Sequence, residues 1–290
     1  MKLLHIGSTG YIGSAVSQAL AQAGHEVVGL LRPSEGGSLS DHRIRIGDLT
    51  DLPSLRNALT DDIDGVVHTG APLGDWTADA LAVRTLLDGL RADGTFVYLS
   101  GTWVLGAAHA DGPSAESSPS RPISIVDGRE QVEAAVLESG RRGIVVRAGI
   151  AHGLAGGIPG LLVQWARHAG HGRYVSAGED PTWATVHVED LADLIAIAVA
   201  QAPSGTVLHG VSEPAVPAAD IARAADLAAG GTGRAVPWPG HEAVAHLGPD
   251  FADALALSQH VTADRALALG WRPTRPSIVD ELLTGSYRAA

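Results

Sequence analysis

Three glycines at intervals of three residues form the clearest chemical signal in the chain. Gly7, Gly10 and Gly13 stand between an apolar segment at residues 3–6 and a segment at residues 11–23 whose apolar side chains recur at helical spacing. Glycine lets the backbone turn tightly and lets a pyrophosphate approach the amide groups. The amides and the dipole of the following helix attract that anion. The turn therefore predicts a dinucleotide site.

The end of the second predicted strand indicates which dinucleotide is bound. Proteins that bind NAD usually place an acid at this point to hold the ribose hydroxyls. Here Arg32 follows the strand, and the first acid after it is Glu35. An arginine can pair with the 2′-phosphate of NADP. We therefore predict NADP(H) as the cofactor, with NAD as the less favoured alternative.

Composition and charge limit the kinds of molecule that this protein is expected to bind. The chain has 290 residues, a formal net charge of −12 and no cysteine. Such an acidic surface repels phosphate backbones, so we expect no nucleic acid partner. The apolar stretch near residues 191–202 is too short to span a bilayer, and no signal-peptide pattern follows Met1. The thirteen histidines show no metal-ligand spacing. We expect a cytoplasmic protein with a small-molecule substrate, no membrane contact and no metal.

The first half of the chain alternates strand and helix signals. Near-continuous apolar strands separated by helices predict a parallel sheet covered on both faces, with right-handed crossovers. This is a doubly wound, Rossmann-like α/β fold. We predict strands at residues 3–6, 26–31, 43–46, 65–68, 95–100 and 143–147, and helices at 11–23, 50–59, 76–91 and 124–139.

The pattern loosens after about residue 150. We predict helices at residues 158–168, 189–201, 218–229 and 251–260, strands at 206–209 and 234–236, and a loop at 230–240 that is rich in Gly and Pro. We therefore divide the chain into a dinucleotide-binding core, residues 1–150, and a smaller C-terminal lobe, residues 151–290. The lobe is expected mainly to bind substrate, with some segments returning to the core.

The motifs resemble those of extended short-chain dehydrogenases/reductases of the NAD-dependent epimerase/dehydratase type, over nearly the whole chain. The similar segments are residues 7–13 (cofactor turn), 47–50 (adenine contact), 67–71 (after strand four), 99–106 (the motif that carries the catalytic Ser or Thr), 147–153 (near the nicotinamide), 186–192 (a helix start) and 269–273 (a C-terminal signature). Together with Arg32, the resemblance implies these cofactor-binding residues: Gly7, Thr9, Gly10, Tyr11, Ile12, Gly13, Arg32, Asp48, Leu49, Gly70, Ala71, Ser100, Arg129, Gly149 and Ile150. It also suggests a homodimer by analogy.

The chain departs from this family at the active site. The family uses a tyrosine that donates a proton and a lysine four residues later that lowers the pKa of the tyrosine and holds the ribose. In the matching helix, Ile125 stands at the tyrosine position and Arg129 at the lysine position. Shifting this alignment by a residue does not restore the pair, because no tyrosine lies between Tyr98 and Tyr174 and the only lysine is Lys2. The usual proton donor is therefore absent.

A replacement has to come from another side chain. The candidates are Thr102, Arg129, His152, Tyr174, His109 and Asp111. Thr102 can hydrogen-bond a substrate carbonyl, and His152 is expected to titrate near neutrality. Arg129 can hold the ribose, but an arginine keeps its proton and is a poor general acid. For each candidate, the alternative is a core or surface residue without a catalytic role.

Three functions stay open at this point. The first is an NADP-dependent reductase of a small, apolar molecule, with a non-standard proton donor and a place in biosynthesis. Its substrate would be an iminium ion, a conjugated electrophile, or a carbonyl activated by Thr102 and a water. The second is a non-redox isomerase, cyclase, lyase or dehydratase on the same scaffold. The third is a regulatory binder that senses NADP(H). The intact turn and Arg32 favour the first.

Overall fold

The structure is a computed structural model that describes residues 1–35, 43–70, 76–108 and 112–288. These residues form twelve strands: β1 (Lys2–Ile6), β2 (Glu26–Leu31), β3 (Ile44–Ile46), β4 (Gly65–His68), β5 (Thr95–Gly101), β6 (Arg142–Ala148), β7 (Ile150–His152), β8 (Gly172–Ser176), β9 (Thr182–His187), β10 (Thr206–Gly210), β11 (Glu213–Pro217) and β12 (Ala235–Pro239).

Eleven α-helices connect the strands within the described ranges. They are α1 (Tyr11–Gln22), α2 (Leu52–Ala58), α3 (Trp76–Gly89), α4 (Arg129–Leu137), α5 (Gly157–Ala169), α6 (Val188–Gln201), α7 (Ala218–Ala228), α8 (Gly240–Leu247), α9 (Pro249–Ala256), α10 (Asp264–Ala268) and α11 (Ile278–Thr284). Short 3-10 turns cover Pro33–Glu35, Thr102–Leu105 and Ser124–Val126.

Seven parallel strands form the central sheet, in the order β10-β6-β5-β4-β1-β2-β3. The strand order reverses between β1 and β4, so a crevice opens there at the carboxyl ends of the strands. Open α/β sheets bind their ligands at such a switch point. The predicted Rossmann-like fold is confirmed.

The strands are apolar on both sides because helices cover both faces. Val97 and Leu99 of β5 pack into a core cluster with α1 and α6. Phe96 and Tyr98 point the other way, into a cluster with α2, α3 and α4. This alternation follows from the two-residue period of a strand. It explains why the apolar runs of the first half are nearly continuous.

The second half builds smaller sheets and returns one strand to the core. Strands β11, β9 and β7 form one sheet and β12 pairs with β8 in another, while β10 completes the central sheet. Helices α5, α7 and α11 pack around Trp183 and Trp238 in a separate apolar cluster. Within the described ranges, no helix has both the length and the apolarity needed to cross a membrane.

Several predicted elements differ from the observed ones. The predicted helix at 124–139 is broken, because Gly128 adopts a left-handed φ of +97° and α4 begins only after it. The predicted loop at 230–240 contains β12, which pairs with β8 and overlaps the strand predicted at 234–236. The predicted helix at 251–260 begins at Pro249, a favoured first helical residue, and ends at Ala256. Strands β7, β8, β9 and β11 are not among the predicted elements.

Two buried histidines make stability depend on pH. His5 in β1 bonds the hydroxyls of Ser17 and Thr69, at 2.8 and 2.9 Å. Burial, and secondarily His68, lowers the pKa of His5 to about 3. Burial, and secondarily His187, lowers the pKa of His152 to about 3. Both rings are therefore neutral in the folded protein near pH 6, whereas an unfolded histidine titrates near about 6.5.

We predict that the free energy of unfolding falls as the pH drops below about 6.5, because the unfolded chain binds protons that the folded one excludes. Each ring contributes a loss of about 1.5 kcal/mol between about pH 6.5 and about pH 5. Urea titrations at several pH values measure this slope. His5→Gln keeps a hydrogen-bonding side chain but cannot titrate, so its slope should be shallower. An unchanged slope would contradict the role given to His5.

Candidate active site

The turn after β1 has no space for side chains at two of its three glycines. Gly7 adopts a φ of +81°, and a Cβ atom there would lie 2.6 Å from the amide nitrogen of Gly70. A Cβ atom on Gly13 would lie 1.8 Å from the carbonyl oxygen of Gly7. The turn closes on itself through a 3.0 Å bond from the Gly10 amide to the same carbonyl. Packing alone therefore requires glycine at positions 7 and 13.

Gly10 is different, because the fold does not demand a glycine there. Its φ of −73° is open to any residue, and an added Cβ would meet only the Gly7 carbonyl oxygen, at 3.3 Å. No side chain caps α1, so its first amides are available to a ligand. The bare backbone at Gly10 therefore fits the close approach of a pyrophosphate.

A cleft of about 310 Å³ opens at the carboxyl ends of β1, β4, β5 and β6. Its lining is mostly apolar and includes Trp103, Val126 and Ile158. The structure brings eight of the predicted site residues together in this lining: Tyr11, Ile12, Gly70, Ser100, Thr102, Arg129, Gly149 and Ile150. Among the described residues that line it, Arg129 is the one with a charged side chain.

The other predicted cofactor residues lie outside this cleft. Arg32 follows β2, and Asp48 and Leu49 follow β3, beyond β1 from β5 and β6. Hydrogen bonds from Thr50, with the charge of Arg32 as a smaller cause, lower the pKa of Asp48. Thr9 is exposed in the glycine turn. Ala71, like the candidates His109 and Asp111, lies outside the described residues.

Arg129 is held at the cleft by its neighbours. Its Nη2 atom donates to the Leu99 carbonyl at 2.8 Å. The guanidinium lies over the ring of Trp76, 5.0 Å from its centroid, and 5.7 Å from that of Tyr98. Its buried Nε atom has no hydrogen-bond partner among the described residues. The side chain is thus fixed in place with unused donor capacity.

A buried carboxylate, absent from the sequence-based predictions, supports this arrangement. Asp79 of α3 accepts a 2.8 Å hydrogen bond from the Tyr98 hydroxyl, and its other oxygen lies 3.2 Å from His68 Nε2. Burial works to raise the pKa of Asp79, but His68, Tyr98 and the charge of Arg129 outweigh it and lower the pKa. Asp79 is therefore an ionised counter-charge close to Arg129. An acid on the apolar face of a predicted helix was the available signal.

The hydroxyls of Ser100 and Thr102, which line the cleft, differ in their hydrogen bonding. Thr102 donates its hydroxyl proton to Gln259 Oε1 at 2.8 Å. The Gln259 amide donates in turn to the carbonyls of Thr102 and Gly106, both at 2.8 Å. Ser100 is buried at the cleft, and its hydroxyl has no hydrogen-bond partner among the described residues. The Ser100 hydroxyl therefore has hydrogen-bonding capacity that no described residue uses, whereas the Thr102 hydroxyl makes a bond to Gln259.

His152 and Tyr174 lie away from the cleft. His152 is fully buried, with its ring 5.2 Å from that of His187 and its Nε2 atom 3.7 Å from Glu213 Oε2. Because its pKa is lowered to about 3, the expectation that His152 titrates near neutrality is wrong. Tyr174 of β8 packs in the apolar cluster around Trp183 and Trp238, where burial and a hydrogen bond with Asp180 raise its pKa. Neither lines the cleft as a proton donor.

The two positions that match the family's tyrosine and lysine lie in different elements of the structure. Ile125 lies in the 3-10 turn before Gly128, whereas Arg129 begins α4, so the two residues do not share a helix. Lys2 pairs with Glu26 and Asp62, at 2.9 and 2.8 Å. These contacts lie at the amino ends of the strands, opposite the cleft, so Lys2 cannot take part in the site.

The sheet, turn and cleft define a Rossmann-type protein of the dinucleotide-binding kind. Residues 4–209 match the sequence model of the NAD dependent epimerase/dehydratase family, and the chain belongs to that family. This confirms the resemblance given by its motifs.

Relatives and solved structures agree with this assignment. Uncharacterized protein YLL056C of Saccharomyces cerevisiae is 33% identical over 77% of this chain and 78% of its own. Uncharacterized protein C2A9.02 of Schizosaccharomyces pombe is 28% identical over 99% of this chain and 100% of its own. The crystal structure of human epimerase family protein SDR39U1 (isoform2) with NADPH superposes with a TM-score of 0.81, at 22% identity and 99% coverage of both chains. That likeness supports the fold.

We predict that Thr102→Val lowers the free energy of unfolding by about 1–3 kcal/mol, because Gln259 Oε1 is left buried without a donor. Thr102→Ser should recover most of the loss, since it restores the hydroxyl. Denaturant titrations of the three proteins make the comparison. If Thr102→Val were as stable as the parent, the bond to Gln259 would not have the structural role assigned to it.

Proposed function

We propose that this protein is an NADP-dependent oxidoreductase that reduces a small, apolar molecule. The observation that carries the proposal is the cleft itself. It lies where the strand order reverses, next to a glycine turn that leaves Gly10 open, and Arg129 is its one charged side chain in the described lining. An apolar cleft with few polar groups selects an apolar ligand and orients it through those groups.

The proposed cofactor is NADPH. The amides at the start of α1 would hold its pyrophosphate, with Gly10 giving the room for a close approach. Arg32 would pair with the 2′-phosphate, because it stands directly after β2, where NAD-binding proteins usually place an acid for the ribose hydroxyls. The NADPH in the human SDR39U1 structure supports the choice over NADH. When bound, the cofactor supplies a hydride.

The protein groups at the cleft provide polarity rather than an acid. Ser100 would donate its free hydroxyl to an electronegative atom of the substrate, and Arg129 would stabilise negative charge through its fixed guanidinium. Tyr11 also lines the cleft, but burial, and secondarily Tyr287, raises its pKa well above the usual range. Such a site suits a conjugated electrophile, because Arg129 would stabilise the negative charge that hydride addition creates on it. An iminium ion is less favoured, since the Arg129 cation would repel its positive charge. For a carbonyl substrate, Ser100 replaces Thr102 as the activating hydroxyl.

A screen with deuterium at C4 of NADPH tests the proposal. Imines, enones and aldehydes are incubated with the protein, and both the absorbance of NADPH and the deuterium content of the product are followed. We expect loss of absorbance and deuterium in the product. Ser100→Ala should turn over about 10–100-fold more slowly. Product without cofactor oxidation would instead indicate an isomerase, cyclase, lyase or dehydratase, and binding without turnover a sensor of NADP(H).

Two glycine variants separate the binding role of the turn from its packing. We predict that Gly10→Ala folds with nearly the parent stability but weakens NADPH binding at least about tenfold, because its methyl group occupies the approach of the pyrophosphate. Gly13→Ala should lose about 1–3 kcal/mol of stability or more, because its Cβ overlaps the Gly7 carbonyl. Calorimetric NADPH titrations and thermal unfolding give both quantities. Parent-like affinity in Gly10→Ala would contradict binding at this turn.

A further inference from the structure

A short segment between β7 and α5 has a backbone that L-residues seldom adopt. We call residues 153–157 the left-handed segment. Leu154 and Ala155 have φ angles of +51° and +56°, and they are the two non-glycine residues with positive φ in the described part of the chain. Gly153 and Gly157 flank them, with φ of +98° and +68°. Such a backbone persists only where its surroundings hold it.

Two tyrosines from opposite ends of the chain hold this segment. The Tyr287 hydroxyl accepts from the Gly153 amide at 2.7 Å and donates to the Gly156 carbonyl at 2.8 Å. The Tyr11 hydroxyl donates to the Gly153 carbonyl at 2.8 Å. Tyr287 is only 4% exposed, so its hydrogen bonds are shielded from water. One tyrosine hydroxyl therefore fixes two backbone groups of the segment.

The residue next to Tyr287 adds a further contact. The Ala155 amide donates to the Ser286 hydroxyl at 2.7 Å. Ser286 in turn donates to Glu281 of α11, through its hydroxyl at 2.7 Å and its amide at 3.0 Å. The strained backbone at Ala155 is thus tied through Ser286 to α11.

The left-handed segment reaches the cleft through packing as well as through the chain. A Cβ atom on Gly156 would lie 2.4 Å from the ring of Tyr11, so ring and backbone are in direct contact. Tyr11 is the first residue of α1 and lines the cleft. Gly157 and Ile158 line the same cleft. Any relaxation of the segment would therefore move the cleft wall and the residue that follows Gly10.

We propose that Tyr287 is a positioning residue for the cofactor cleft. It acts through the left-handed segment, holding Tyr11 and the wall formed by Gly157 and Ile158 in the geometry that binds NADPH. This inference rests on the proposed function. It assigns a role in binding to a residue 276 positions away from Tyr11 in the sequence, far outside the glycine turn.

Tyr287→Phe tests the proposal, with Tyr174→Phe as the matched control. Both tyrosines are buried in the same apolar cluster, and the structure places Tyr174 away from the cleft. NADPH dissociation constants, thermal midpoints and hydrogen exchange of residues 153–157 are measured for both variants and the parent. We expect Tyr287→Phe to exchange faster in the segment and to bind NADPH about tenfold more weakly. Tyr174→Phe should match the parent in both, even if its thermal midpoint falls equally.

Two results would overturn the inference. Parent-like NADPH affinity in Tyr287→Phe removes the positioning role, whatever the thermal midpoint. An equal loss of affinity in Tyr174→Phe shows that the effect is general destabilisation. Failure of the parent protein to bind NADPH would overturn the proposed function and this inference together, so the two failures are distinguishable.

Discussion

The close approach of Gly7, Gly13 and Gly70 is the constraint on which the site depends. Three backbone segments meet where no Cβ atom fits at Gly7 or Gly13, so α1 starts directly against the loop after β4. This places the amino end of α1 at the point where the strand order reverses. This placement of α1 determines where the crevice lies, which backbone amides it exposes and where Tyr11 stands. Gly10 alone is left without a packing reason, and that is why it is the glycine assigned to a ligand.

A second constraint concerns buried charge. Arg129 stands in the cleft because Trp76, Tyr98 and the Leu99 carbonyl hold it, and Asp79 provides a nearby counter-charge. A charge partly removed from water is costly without partners, so these contacts and Asp79 stabilise Arg129 in the cleft. The family's tyrosine and lysine form a proton donor, whereas this chain presents a fixed cation and the free hydroxyl of Ser100. The chemistry available to it is therefore electrostatic stabilisation and hydrogen bonding.

The sequence predicted the first half and the long helices α5, α6 and α7 of the second half well, but it missed most of the short strands of the second half, for physical reasons. Buried parallel strands and amphipathic helices leave strong periodic signals, and the glycine turn stands between two of them. Strand β8 is short and pairs with β12, which lies more than fifty residues away in the sequence, so periodicity did not reveal β8. Two contacts could not be predicted for a similar reason, because their partners are far apart in the sequence. Thr102 and Gln259 are 157 residues apart, and Gly153 and Tyr287 are 134 residues apart. Gly128 broke a helix that apolar spacing alone favoured.

We expect hydride transfer from the proposed cofactor in this cleft to proceed without a side chain that titrates near neutrality. The most direct measurement is the single-turnover rate of hydride transfer from bound NADPH to the substrate found in the screen, from about pH 6 to about pH 9. In the described lining, burial raises the pKa of Tyr11 further above this range and arginine keeps its proton, so the rate should stay flat. With a substrate that does not itself ionise in this range, a rate that rises or falls tenfold per pH unit and bends at a single ionisation would show that an acid or base of the protein takes part, and would contradict this expectation.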